Sequence, residues 1–441
     1  MRRITGIAVT ALVTTMVTAT TPSLALAADA IVPTAVDLAM DGGRPNDWAL
    51  GGTSLSGDGQ YAAFTSFASN LVNDDRNGKA DVFVRNTSTG TTTLVSVGSS
   101  GEQGDAPSTD PSISADGRYV TFMSNATNLV PGDTNEAHDV FVRDLQAGTT
   151  TMVSVTGSGV GAGWRDDSYY PSISGDGRYV AFETEARLTP TDTDRLIDVY
   201  VYDRVTGTPE RVTVTPSGQP ADRNTYLAGT RISGDGRFVV FGSEAANLVA
   251  GDTNGTKDVF VRDRREDVTR LVSATAAGVQ GNGTSEEPAI SADGRLAAFR
   301  SAATNLGEGA AGGQVHPTAK VYVKDLRTGE LTREDRNTAG AFVGAWEPQL
   351  SGDGRYLAVT AFSGWMEGAW SGGQNVYVRD RQTGVVTPAS HGPTGKPAPR
   401  ACLDLALSAD GRHVAFISDD GTLVAGDTDR RDNVFLTNVP N

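Results

Sequence analysis

The chain is poor in the residues that most often carry chemistry. It has one cysteine and four histidines in 441 residues. The single cysteine, Cys402, excludes an internal disulfide, and its apolar surroundings place it in a core rather than at a reactive surface. Stability must then come from burial. The four histidines (His138, His316, His391 and His413) fall in different parts of the chain, which argues against a His-rich metal centre. No Gly-x-Ser-x-Gly elbow occurs, and "GSGVGAG" (157–163) lacks the spacing of a dinucleotide loop and reads as a flexible linker. Beyond the N-terminus no apolar run reaches the roughly 18–20 residues of a membrane span.

The N-terminus is a different element. "MRR" is followed by the apolar "ITGIAVTALVTTMVTAT" and by "SLALA", with small residues at Ala25 and Ala27. This is the pattern of a signal peptide covering residues 1–27, with cleavage after Ala27, or alternatively after Ala28 or Ala30. The chain is then expected to be secreted, extracellular or periplasmic, with no membrane span once cleaved. An uncleaved anchor is the alternative. Losing Arg2 and Arg3 takes the net charge from −16 to −18. So acidic a surface repels nucleic acid and anionic membrane. Cations, cationic partners and neutral glycans remain compatible with it.

What the sequence has in abundance is one repeated unit. "SGDGQYAAFTS" begins at Ser56 and returns at Ser114, Ser174, Ser233, Ser291, Ser351 and Ser408, every 57 to 60 residues. Each unit reads as four short strands. A strand such as "PSIS" ends at the serine, and Asp116-Gly117 then turns the chain. "RYVTFMS" follows, then a long connection, "DVFVRD", a "DxxTG" turn and "TTTMVSV". The second and third strands are apolar on both alternations, so they lie between packed sheets. Radial repetition of such units predicts an all-β, seven-bladed β-propeller occupying residues 28–441 as one domain. The last unit stops after its third strand. "TAVDLAMDGGRPND" (34–47) aligns with the fourth strand and exit of the first unit. Residues 34–40 are therefore expected to complete the last blade and close the ring.

Propeller geometry sorts the loops. The SxDG and DxxTG turns share one face, and their Asp and Gly residues read as structural. The variable connections share the other, where function usually sits. Five tryptophans fall there. Trp48, Trp164 and Trp346 lie between blades, and Trp365 and Trp370 lie in "SGWMEGAWSGG" of the sixth blade. They are candidates for stacking on a sugar or peptide, or else for plugging the channel mouth or packing neighbouring loops.

The loop before the third strand carries oxygens at 1-3-7 spacing. The sets are Asp75, Asn77 and Asp81; Asp133, Asn135 and Asp139; Asp192, Asp194 and Asp198; and Asp252, Asn254 and Asp258. The seventh blade has Asp427 and Asp429, with Asn433 last, while blades five and six lack the pattern. Calcium takes six to eight oxygens, and such a loop offers three side chains and a carbonyl, so water would complete the shell. The other reading is that these residues only turn the chain. Both stay open here.

With the units written out, the chain resembles the TolB-like propellers, whose WD-type repeat runs Ser-Pro-Asp-Gly, an aromatic strand, then Asp-Ile-Tyr-Val. Here Gly or Ala stands in place of the Pro in every copy, and "DVFVRD" and "NVYVRD" match the later part. The resemblance covers about Ser54 to Asn438. It implies the fold, and it brings in relatives that bind partner proteins, carry peptidase domains or cleave oligosaccharides. The repeats leave no room for a hydrolase domain. Strand arginines such as Arg85, Arg143, Arg262 and Arg379 recur at one place in the unit, which suits a structural role better than a catalytic trio. The favoured expectation is a monomeric, non-enzymatic propeller that binds a protein or glycan through its loop face. A lyase or glycosidase is the alternative, and so is an envelope scaffold without a small ligand.

Overall fold

Alternating apolar residues and Asp-Gly turns build the same sheet seven times. The computed structural model describes residues 31–441, apart from 160, 162, 164–165, 226–228, 308–319, 363, 367–372, 429 and 441. The expected signal peptide lies outside the described residues. Among them, 28 strands form seven four-stranded antiparallel sheets. No described helix is long and apolar enough to cross a membrane.

In blade one, Ala49–Leu55, Tyr61–Ser66, Asp81–Asn86 and Thr91–Leu94 pair in chain order. Blades two to six repeat this order. Blade seven takes Cys402–Leu407, His413–Ser418 and Asn433–Asn438, and its outer strand is Thr34–Ala35 from the opposite end of the chain. Thr34 stands opposite Leu436 and Ala35 opposite Phe435, and the Val36 N–H reaches the Val434 carbonyl at 2.8 Å. The first strands of successive blades touch one another all the way round, so they line the axis.

In six of the seven blades the core is an aromatic pair across the second and third strands. Phe122 and Phe141 stack at 5.6 Å, and Phe64–Phe83, Phe241–Phe260 and Phe416–Phe435 repeat the contact. In blade six Val359 occupies the second-strand aromatic position. Trp365 comes in from the following loop and stacks on Tyr377 at 5.7 Å, filling the space the missing ring leaves.

At the turn face the blades are tied by their backbones. The N–H of Gly57 donates to the Ala115 carbonyl, Ala115 to Gly175, Gly175 to Gly234, Gly234 to Ala292 and Gly352 to Ala409. Asp293 to Gly352 and Asp410 to Gly57 complete the circle, with all seven bonds between 2.7 and 3.1 Å. A Cβ on Gly234 would stand 2.9 Å from the Ala292 oxygen. Proline has no N–H to give. This accounts for the absence of Pro at Gly57, Ala115, Gly175, Gly234 and Gly352, the five positions whose own N–H closes a bond; Ala292 and Ala409 only accept.

Candidate functional site

The inner strands are irregular at one shared place. In blades two, three, five, six and seven the pairing with the second strand slips by one residue, and in blade one by two. The residue in the slip lies four before the turn serine. It is Gly52, Asp110, Tyr170, Glu287, Glu347 or Asp404, and each has positive φ, between 48° and 96°. Such a backbone costs a non-glycine residue about 1–2 kcal/mol. Five non-glycine residues held this way at one level of the ring are strain concentrated where a site would be.

These bulges turn their side chains toward the axis. A cavity of ≈ 310 Å³ on the loop side is lined by Asp110, Tyr170, Arg231, Glu287, Glu347 and Asp404. A second, of ≈ 210 Å³, continues toward the turn face between Ser54, Ser112, Ser172 and Gln349. Four carboxyl groups therefore share the upper cavity with one guanidinium. The Glu347 N–H donates to Glu287 Oε2 at 2.9 Å, which ties blade six to blade five. Burial, then the Asp404 and Glu287 charges, pushes Glu347 up to about 8. Burial also raises Asp404, with Asp110 adding repulsion, and it raises Asp110 against the pull of Thr109 and Arg231. Behind Arg231, buried Glu183 is pushed up to about 7 by burial, although it accepts from Thr230 Oγ1 at 2.9 Å and the Gly229 N–H at 3.1 Å.

Across the mouth lies a small polar cluster. Asp167 accepts from the Tyr169 hydroxyl at 3.0 Å and stands 3.3 Å from His138 Nδ1. His391 and His413 lie elsewhere, beside Tyr377 and beside Asp410. His316 falls outside the described residues.

The expected tryptophans divide. Trp48 is 50 % exposed and meets Phe67 edge-on at 5.8 Å. Trp346, half-buried, meets Phe362 at 5.2 Å, and Phe362 is itself 46 % exposed. Trp365 departs from the ligand-stacking reading and takes the packing role. It is fully buried, and its indole N–H donates to the Gly344 carbonyl, so no ligand can stack on it from the loop face. Trp164 and Trp370 lie outside the described residues. Sequence reading missed Phe362, Leu50 and Leu403 on the rim. It also missed the whole axial ring, whose members look like ordinary loop residues about 60 positions apart.

The Asp/Asn loops hold their own acids. One oxygen of Asp81, Asp139 and Asp258 accepts from Ser96, Ser154 and Ser273 at 2.5 Å. The other oxygen of Asp139 takes Asn135 Nδ2 at 2.8 Å, and that of Asp258 takes Asn254 Nδ2 at 2.7 Å. Asp75 is met by Gln103, Asp252 by Gln280 and Asp427 by Arg44. Asn77, Asn135 and Asn254 also accept the N–H two residues on, which is Asx-turn geometry. Burial raises Asp133, which its link to the Asn135 backbone opposes. Among the described residues only Asp192, Asp194 and Asp198 bring three ligand atoms within 4.8 Å. Arg211 occupies that place, with Nη2 at 2.6 Å from Asp198 and Nη1 at 3.4 Å from Asp192. Asp429 lies outside the described residues.

The buried acids predict an acid-favoured fold. Asp81 is raised to about 6 and Asp37, Asp139 and Asp198 to about 7, burial being the main cause in each. A carboxyl raised in the folded state stabilises fully below its unfolded pKa and loses that contribution as pH rises through the folded value. The window runs from about pH 4 to 8. Asp144, Asp203 and Asp380, held at about 2 by Arg118, Arg178 and Arg355, lose theirs only at lower pH. The melting temperature should rise on the order of 5 °C between pH 8 and pH 5 and fall below pH 4. Thermal melts across that range check this, and stability that climbs toward pH 8 contradicts it.

No family model matches the sequence, and no curated protein matches it. Solved structures do resemble the fold. An oligogalacturonate lyase from Vibrio parahaemolyticus aligns over 92 % of this chain and 93 % of its own, at 13 % identity and a TM-score of 0.54. The β-propeller domain of the Trilobed protease from Pyrococcus furiosus, described as having an open velcro topology, covers 90 % and 97 % at 11 % identity and 0.52. TolB from Acinetobacter baumannii covers 81 % and 76 % at 16 % identity and 0.41. At these identities the likeness concerns the fold alone, and the chain is a seven-bladed propeller closed by its own N-terminal strand.

Proposed function

We propose that the protein is an exported binding module that engages a protein or glycan outside the membrane through its loop face. The observation that supports this most is the strained acidic ring, Asp110, Glu287, Glu347 and Asp404, which opens beneath a rim bearing Trp48 and Phe362. Strain kept at one level of a repeated scaffold is a mark of use. The same acids argue against carrying over the oligogalacturonate of the structurally similar lyase. A polyuronate has a carboxylate on every residue, and this channel would repel it.

A glycan-cleaving enzyme is the second reading. It is favoured by Glu347, raised to about 8 beside Asp404 and Glu287, since a protonated acid next to an ionised one is the equipment of a glycosidase. One experiment separates the two. The mature protein is screened against neutral polysaccharides and cell-envelope extract, with Trp48→Ala/Phe362→Ala and Glu347→Gln run beside it. Binding without consumption, weakened at least 10-fold by the rim variant, fits the binding module. Sugar release lost in Glu347→Gln would make it an enzyme. Binding indifferent to the rim would move the site off this face.

A further inference from the structure

The rim is unevenly apolar. Leu50 is 39 % and Leu403 42 % exposed, at the starts of the inner strands of blades one and seven. Trp48 precedes the same strand of blade one. Trp346 begins that of blade six, and Phe362 follows its second strand. Inner-strand starts and second-strand ends share the loop face. The residues that correspond to Leu403 are Thr109 in blade two, Tyr169 in blade three and Glu286 in blade five. Among the described residues the exposed leucines, Trp48 and Phe362 gather as an apolar crescent on three neighbouring blades, six, seven and one, and the repeat does not impose them. Exposed leucines and tryptophans on a chain this acidic mark a contact surface.

The crescent borders the upper axial cavity, and charge decides what lies across it. Glu347 and Asp404 belong to blades six and seven, directly below the crescent, and Glu287 and Asp110 flank them. Arg231, from blade four, is the one basic residue among the described lining. A cavity of ≈ 310 Å³ admits one extended side chain rather than a folded element. Branched aliphatics such as Leu50 and Leu403 offer no flat face to a sugar ring but pack well against protein side chains.

We propose that this mouth docks a partner protein by its apolar crescent and takes one lysine or arginine side chain of that partner into the carboxylate ring. The proposal rests on the binding reading above and narrows it to a protein with a basic anchor. Glu287 is already paired with Arg300 Nη2 at 2.9 Å, so the arriving cation relieves the crowding that remains between Glu347 and Asp404.

A random-peptide phage library selected on the immobilised mature protein tests it. The expected winners share a Lys or Arg flanked by apolar residues. A synthetic winner should bind at least 10-fold more weakly when its Lys becomes norleucine, in Asp404→Asn, and in 0.5 M salt. It should also weaken in Leu403→Ser, an exposed change that spares the fold, and thermal melts confirm that both variants are folded. Winners without a basic residue, lost in Trp48→Ala, would overturn the cation anchor and leave loop-face binding standing. Winners indifferent to Trp48→Ala and Leu403→Ser would overturn both. Failure to select any peptide, with neutral glycans bound instead, would overturn the basic anchor and keep the broader reading.

Discussion

Removing residues 28–42 should lower the melting temperature of the mature propeller by roughly 6 °C. The truncated chain keeps every other strand, so the loss measures the closure alone. Blade seven is left with three strands, and Asn433–Asn438 becomes a bare edge. Val36, 3 % exposed, leaves a cluster that joins Leu55 and Phe64 of blade one to Ala415 and Val434 of blade seven. Burying such a side chain stabilises by about 1.5–3 kcal/mol. The backbone bonds from Val36 to Val434 and from Met40 to Asn70 go as well, at about 1 kcal/mol each. Ala35 and Ala39 lose their contacts too. A total near 5 kcal/mol at about 1.2 °C per kcal/mol, the sensitivity of a chain this long, gives the stated shift. A synthetic peptide spanning residues 31–42, added in excess, should recover part of it, because it binds only the folded ring. A shift under about 2 °C would mean that three strands suffice for the last blade and that closure contributes little.

The second large effect is expected at Arg211. Its position in the outer strand is apolar in blades one, two and four, Leu94 opposite Phe83, Met152 opposite Phe141 and Leu271 opposite Phe260, while blade five has Arg333 opposite Tyr322, paired with Asp335. In blade three it is Arg211 opposite Tyr200. Among the four complete 1-3-7 loops, blade three alone has Asp194 where the others have Asn77, Asn135 and Asn254. Within that set the extra acid and the extra base go together. Arg211 is 7 % exposed and sits among Asp192, Asp194 and Asp198. Removing one partner of a buried ion pair costs about 3–5 kcal/mol, because the remaining charges stay buried. Arg211→Ala should therefore lose about 5 °C in the melt. The double variant Arg211→Met/Asp194→Asn restores the pattern of the neighbouring blades and should recover most of that loss. A double variant as unstable as the single one would show that the cost is packing and not charge. The calcium reading meets its sharpest test in the same proteins. With the guanidinium gone, Ca²⁺ should raise the melt of Arg211→Ala, while the wild type stays within about 1 °C of its value in EDTA. A saturable, Ca²⁺-specific rise in the wild type would instead make the Asp/Asn loops cation sites.

The sequence by itself determined everything that repeats locally. Seven Ser-x-Asp-Gly turns, the two-residue apolar alternation and the displaced fourth strand at Thr34 fix the number of blades and the seam. Each rests on contacts within about 60 residues, or on the plain absence of a partner for "NVFLTN". Cys402 likewise read as core from its neighbours, and it is fully buried. What the tertiary structure decided is everything that needs several blades at once. Asp110, Glu287, Glu347 and Asp404 become one site only because each inner strand bulges at the same level, and nothing in any single unit separates them from solvated loop acids. The small residues after the turn serines acquire their reason only when seven backbones meet in a ring. Trp365 looked like a surface aromatic because its loop is polar, yet Val359 leaves a hole that only a large ring fills. A repeat specifies its own turns and faces through neighbours in the chain. The axis belongs to no one repeat, so its chemistry was decided when the ring closed.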